Sequence, residues 1–118
     1  MNWDGAATFL HTDDLDKTHE FYHETLGLRL FKDQGACRIY EVVPGSYLGF
    51  CVHFPRPEKK DTILTLLTDD VDGVYDRMVG DQEITVEHAP SVNEKFNIYH
   101  FFARDPNGYK VEVQKFLD

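Results

Sequence analysis

With 118 residues, 42% of them apolar and 28% charged, the chain has the length of one globular domain and too much Leu, Val, Phe and Tyr to stay disordered. Its formal charge of −9, from 21 acidic against 12 basic residues, repels phosphate backbones and anionic membranes, which excludes nucleic acid as the expected partner and leaves a cationic small molecule open. No apolar run approaches a bilayer span and Met1 to Gly5 carries no secretion signal, so Cys37 and Cys51 are expected as reduced thiols in a cytoplasmic protein.

Ala7 to His11 reads as a short strand and leads into Thr12-Asp13-Asp14-Leu15-Asp16. The pattern returns 56 residues later, where Thr62 to Leu67 leads into Thr68-Asp69-Asp70-Val71-Asp72. An Asp at a helix N-cap accepts hydrogen bonds from the free N–H groups of the first turn, and further carboxylates there suit the helix dipole, so the acidic clusters read as caps rather than catalytic pairs. Helical steps of 100° over Leu15 to Leu26 gather Leu15, Thr18, Phe21, Tyr22, Thr25 and Leu26 on one face, expected toward the core. Gly27 is expected to end that helix in the left-handed conformation, and Gly80 to end Val71 to Val79 in the same way.

Three strands follow the first helix: Arg29 to Lys32, Cys37 to Val43 and Tyr47 to Phe54, the last two joined by the turn Pro44-Gly45-Ser46. Pro55 to Asp61, with two prolines and five charges, reads as a linker. The order repeats with Thr85 to His88, Asn97 to Ala103 and Lys110 to Phe116. The chain is therefore expected to be α+β, one domain over 1–118 made of two βαβββ modules at 1–57 and 61–118. His19-Glu20-Phe21-Tyr22-His23 matches the H-E-x-x-H pattern of zinc proteases, but the helical projection sets His19, Glu20 and His23 on the solvent side with no third ligand, and the match reads as chance.

Three local features carry a family likeness along the whole chain: Asp14-Leu15 leading to Phe21-Tyr22 and Leu26-Gly27-Leu28, Asp70-Val71-Asp72 at the matching place, and Asp105-Pro106-Asn107-Gly108-Tyr109-Lys110-Val111-Glu112-Val113. Together they resemble the vicinal oxygen chelate superfamily, which holds glyoxalase I, extradiol dioxygenases, fosfomycin-resistance enzymes and bleomycin-resistance proteins. The last segment looks especially like the closing hairpin of glyoxalase I; in its turn Pro106 presets φ and Asn107-Gly108 tolerate positive φ. The resemblance implies eight strands in curved mixed sheets around a half-open cavity, helices outside, and a homodimer.

In metal-dependent members each module gives ligands from its first strand and from a last or neighbouring strand. Here the first-strand positions fall on Ala7 and Ile63, which cannot bind a metal, while Glu112 is a correct ligand type and its counterpart falls near Cys51. With two donors missing, the usual metal site is expected to be absent and no cofactor is expected. A displaced divalent-metal site from His11, His53, His100 and Glu112 remains the other arrangement.

Strand alternation puts His11 on the face of Ala7 and His53 on that of Cys51, and the resemblance turns His100 and Phe102 toward the cavity. Phe9 and Tyr40 complete its expected aromatic lining. A carboxylate at Glu112 needs a cation, a donor or water, and Arg38 is the candidate partner if residue 38 aligns with 51 across the turn. The first functional reading is metal-free binding of a small aromatic or cationic molecule, as in drug-sequestering members. The alternative is a lyase, isomerase or dioxygenase with Glu112 as ligand or general base and His11 or His100 as proton carrier. A third is an accessory module whose cavity is filled by its own side chains.

Overall fold

Each Thr-Asp-Asp repeat starts a helix, and the hydrogen bonds show why. Thr12 Oγ1 accepts from the Asp14 N–H and Thr68 Oγ1 from the Asp70 N–H, both at 3.1 Å, which sets each second aspartate at the cap. The Asp14 carboxylate then accepts from the N–H groups of Asp16 and Lys17, each at 3.0 Å, and that of Asp70 from Gly73 at 3.0 Å. The computed structural model that shows this describes residues 1–58 and 61–118, and its chain divides into two compact units, Met1–Glu58 and Lys59–Asp118.

The first unit runs β1 (Ala6–His11), α1 (Leu15–His19), a π-helical segment (Glu20–Thr25), β2 (Arg29–Asp33), β3 (Cys37–Val43) and β4 (Ser46–Cys51). The regular helix expected over Leu15 to Leu26 thus widens after His19, and the Leu26 N–H reaches back five residues to Phe21 O at 3.0 Å. The adjacent side chains of Phe21 and Tyr22 are both buried in this segment, at 3% and 0% exposure. Gly27, at φ +74°, ends the segment as expected, with its N–H donating to His23 O at 3.1 Å and the Leu28 N–H to Tyr22 O at 2.9 Å. The sheet order is β1-β4-β3-β2, with β1 parallel to β4 and the remaining pairs antiparallel.

The second unit runs β5 (Ile63–Leu67), α2 (Val71–Val79), β6 (Thr85–Val86), β7 (Ser91–Asn93), β8 (Ile98–Arg104) and β9 (Lys110–Phe116). Its sheet order is β5-β9-β8-β6, β5 parallel to β9, with β7 also pairing β8. β7 was not expected, and it takes the described strands from eight to nine; after a turn in which Asn97 takes φ +55°, Ile98 to His100 fold back on it. Gly80 departs from expectation as well, since it caps α2 at φ −72°, in the right-handed region. In the closing turn only Gly108 takes positive φ, while the buried Asp105 carboxylate accepts from the N–H groups of Asn107 at 2.9 Å and Tyr109 at 2.8 Å.

The protein is therefore α+β with two open mixed sheets. In the first unit Tyr22, Tyr40 and Phe50 are fully buried between helix and sheet, with Tyr22 and Phe50 stacked at 4.6 Å. In the second, Phe101 meets Tyr75 of α2 edge to face at 5.5 Å, and Val71, Met78, Val111 and Val113 close the core. The expected linker carries no helix or strand over residues 55–58 or at Asp61; its Lys59 and Lys60 lie outside the described residues. Among the described residues no helix is long and apolar enough to cross a membrane.

Candidate functional site

Alternation along the second sheet decides what its helix-free face carries. Phe101, Val111 and Val113 point to α2, so Thr65, Glu112 and Phe102, which pair in one row across β5, β9 and β8, point the other way together with His100. Thr65 Oγ1 donates to Glu112 Oε1 at 2.8 Å, and His100 Nδ1 donates to Oε2 at 2.7 Å, because an ionised carboxylate can only accept. Glu112 and His100 are 7% and 8% exposed. The buried carboxylate thus has a donor on each oxygen from its own unit.

Arg38 is not that partner. Strand β3 pairs Cys37, not Arg38, with Cys51, and this one-residue difference turns Arg38 to the helix side, where Nη2 lies 3.1 Å from Asp16 and Nη1 donates to Leu15 O at 3.3 Å. Tyr40 shares that side. Its hydroxyl lies 2.9 Å from His19 Nδ1, and burial pushes its pKa up, so it belongs to the core rather than to a ligand cavity.

Two residues not singled out from the sequence join the Glu112 group. Thr65 could have been found by stepping two along the strand from Ile63, and His88 as the last residue of the expected strand Thr85 to His88. The His88 ring lies 5.6 Å from Phe102 and 5.7 Å from His100, whose own rings are 5.1 Å apart. Lys110 Nζ sits 4.6 Å over the Phe102 ring, and Glu87 ties Arg104 at 2.9 Å and Lys110 at 3.7 Å. At the C-terminal ends of β5 and β9 a cleft of about 330 Å³ opens between Leu67, Thr68, Asp69, Gln114, Lys115 and Phe116. Leu67 and Gln114 share the face of Thr65 and Glu112, one strand repeat further along.

The first unit does something else at the equivalent place. Its register pairs Phe9 with Gly49 as the second pairs Thr65 with Glu112, so the counterpart of Glu112 is Gly49 and not Cys51, which lies two residues further on. The Phe9 ring covers the space that a side chain at Gly49 would need. An aromatic contact stands where the second unit has its carboxylate. Ala7 and Ile63 pair Tyr47 and Lys110 and offer no metal ligand.

His11 is engaged twice, at 2.7 Å from Phe54 O through Nδ1 and at 2.9 Å from Asp13 through Nε2. Hydrogen bonds from His11 and then Arg56 hold the Asp13 carboxyl below its ordinary pKa. Cys37 and Cys51, expected as free thiols, are joined in a disulfide: as directly opposed residues of β3 and β4 their Cα atoms are only 4.1 Å apart. Exposed His53, beyond the end of β4, brings Nδ1 to 3.8 Å from Cys37 Sγ. Cys37, Cys51 and His53 form the one group of three metal-ligand types within 4.8 Å of one another among the described residues.

In the H-E-x-x-H segment, His19 is half-buried rather than solvent-facing, because the wider turn brings it to Tyr40. Its ring stacks on that of His23 at 4.5 Å, and His23 Nδ1 donates to Leu28 O at 2.8 Å. Burial, then the neighbouring His23 and Arg38 charges, hold His19 below the ordinary imidazole range. Both Nδ1 atoms serve the fold, and no third ligand joins them among the described residues.

Comparison with known proteins agrees with this architecture. Residues 6–113 match the model of the Glyoxalase/Bleomycin resistance protein/Dioxygenase superfamily. The chain is similar to a lactoylglutathione lyase from Agrobacterium tumefaciens at 26% identity, covering 92% of this chain and 90% of that one with a TM-score of 0.72. A glyoxalase/bleomycin resistance protein/dioxygenase family enzyme from Burkholderia phytofirmans PsJN superimposes with a TM-score of 0.81 at 17% identity, covering 94% and 97%. A glyoxalase/bleomycin resistance protein/dioxygenase from Nocardioides gives 0.76 at 19%, covering 100% and 85%. No curated protein matches the chain significantly. With the family match spanning nearly its whole length, the chain belongs to the glyoxalase/bleomycin resistance protein/dioxygenase superfamily.

Proposed function

We propose that the protein binds a small planar molecule on the helix-free face of its second sheet, without the divalent metal used by metal-dependent members. The observation that carries this reading is the Glu112 carboxylate, held between Thr65 and His100 beside the Phe102 ring. Each oxygen has a partner from the protein itself, yet keeps a lone pair for a donor on a ligand. The cleft at Leu67 and Gln114 begins one strand repeat away, about 7 Å, so a molecule of two or three fused rings reaches from one to the other. Its volume of about 330 Å³ is at the small end of ligand pockets. The overall charge of −9 favours a cation, but Lys110 and Arg104 outnumber Glu87 locally. Ring shape and donor position are therefore the stronger selectors.

Fluorescence titration with ethidium, a planar cation carrying amino donors, and with 1-naphthoate, a planar anion without them, tests the reading. Saturable binding of ethidium is expected, weakened about tenfold or more in Glu112→Gln, as fits the loss of a hydrogen bond to a charged acceptor. Binding of neither probe, or equal ethidium affinity in the variant, contradicts it.

A second reading rests on the 2.7 Å contact between His100 and Glu112, which fixes the imidazole tautomer as in enzymes that use His as a general base. The likeness to a lactoylglutathione lyase supports that alternative. Turnover of the methylglyoxal–glutathione hemithioacetal that is lost in His100→Ala would establish it; no turnover by the wild-type protein would reject it for that substrate.

A further inference from the structure

We propose that Cys37, Cys51 and His53 form a second, redox-gated site that binds zinc once the disulfide is reduced. The site lies in the first unit and shares no residue with the Glu112 group. Its geometry comes from the β3–β4 register, which sets the two cysteines directly opposite each other, and from the turn after β4, which brings His53 back over Cys37. The three donor atoms lie within 4.8 Å of one another, and His53 Nδ1 is 3.8 Å from Cys37 Sγ. In a zinc tetrahedron with Zn–S of about 2.3 Å and Zn–N of about 2.0 Å, neighbouring donors stand about 3.5–3.8 Å apart. The Cys37–His53 spacing is already that of one tetrahedral edge. The two sulfurs must separate, and reduction releases them to do so.

The chemistry balances in two steps. A dithiol reductant exchanges with the Cys37–Cys51 bond, is itself oxidised to a disulfide, and delivers two electrons and two protons, leaving two thiols. Zinc then displaces both thiol protons, forming two Zn–S bonds, while neutral His53 supplies a nitrogen lone pair. Two thiolates and one imidazole suit zinc. Three protein donors leave a fourth position for water or another ligand. His53 is exposed, so the site is open to solvent on its side, whereas Cys51 is fully buried. The disulfide and the zinc-bound dithiolate are then alternative states of the same strand pair, so metal binding reports the redox state of the surroundings.

The test uses the full chain, reduced with a phosphine in metal-free buffer and titrated with Co²⁺, then with Zn²⁺. One equivalent of Co²⁺ is expected to bind with sulfur-to-cobalt charge-transfer and tetrahedral ligand-field bands, and Zn²⁺ to displace it. The disulfide form and the Cys37→Ala/Cys51→Ala variant should show neither band. His53→Ala, a surface change that leaves the fold intact, should weaken binding by at least about tenfold, the low end of what losing even an outer-shell partner costs. Equal binding in the disulfide form, absence of thiolate bands after reduction, or unchanged affinity in His53→Ala would overturn the proposal.

Discussion

Phe50→Ala is expected to cost about 3–5 kcal/mol of stability, the range for removing a large buried aromatic side chain. Phe50 is fully buried, stacks on Tyr22 at 4.6 Å and lies 6.3 Å from Tyr40, so the cavity left behind is walled by two rigid rings that cannot collapse into it. Against a typical domain stability of about 5–15 kcal/mol, that loss takes most of the margin. Phe9→Ala is the control. Phe9 lies on the other face of the same sheet and is 42% exposed, and its truncation should cost under about 1 kcal/mol. Urea unfolding followed by circular dichroism measures both, and comparable losses would show that the helix-facing core has been wrongly assigned.

The second large effect concerns the link between β3 and β4. Cys37 and Cys51 are 14 residues apart, and a closed loop of that size restricts the unfolded chain by about 3 kcal/mol in the chain-entropy model. Urea unfolding of the disulfide form with a chelator present should therefore exceed that of Cys37→Ala/Cys51→Ala by about this amount. Neither form carries the dithiol, so no metal at that site enters the comparison and the difference reports the link alone. Equal stabilities would mean that the β3–β4 hairpin persists in the unfolded state, or that the link is not closed in solution.

Much of this fold is legible in the sequence wherever local signals agree. The bounds of α2, β3 and β9 follow from caps, glycines and alternation, and the repeated Thr-Asp-Asp motif announces two equivalent helix starts. Register is what the residues alone leave undetermined. Placing Arg38 rather than Cys37 opposite Cys51 is a slip of one residue, and in a strand such a slip exchanges the faces. It moves Arg38 and Tyr40 wrongly into the cavity and hides the disulfide. A slip of two residues likewise makes Cys51 rather than Gly49 the counterpart of Glu112, and so conceals that Phe9 fills the first unit's place. The π-helical widening after His19 is illegible for another reason: the same apolar spacing suits a regular helix and puts the same residues toward the core.

At the candidate site the sequence names Glu112, His100 and Phe102, because alternation puts all three on one face of the closing hairpin. It misses Thr65 and His88, which belong to the group only through pairing across strands and through the path of the chain beyond β6. What the three-dimensional arrangement adds is the donor pair on Glu112. A carboxylate that in sequence needs a cation, a donor or water is satisfied by a threonine and a histidine of its own unit. That is the basis for proposing a binding face that works without a divalent ion.

Metal content tests that claim most directly. Elemental analysis of the disulfide form, purified without chelator, should find well under one equivalent of zinc, nickel, manganese or iron per chain, with ethidium binding unchanged by later chelation. A stoichiometric metal that is lost in Glu112→Gln, together with ethidium binding that disappears on chelation, would contradict it.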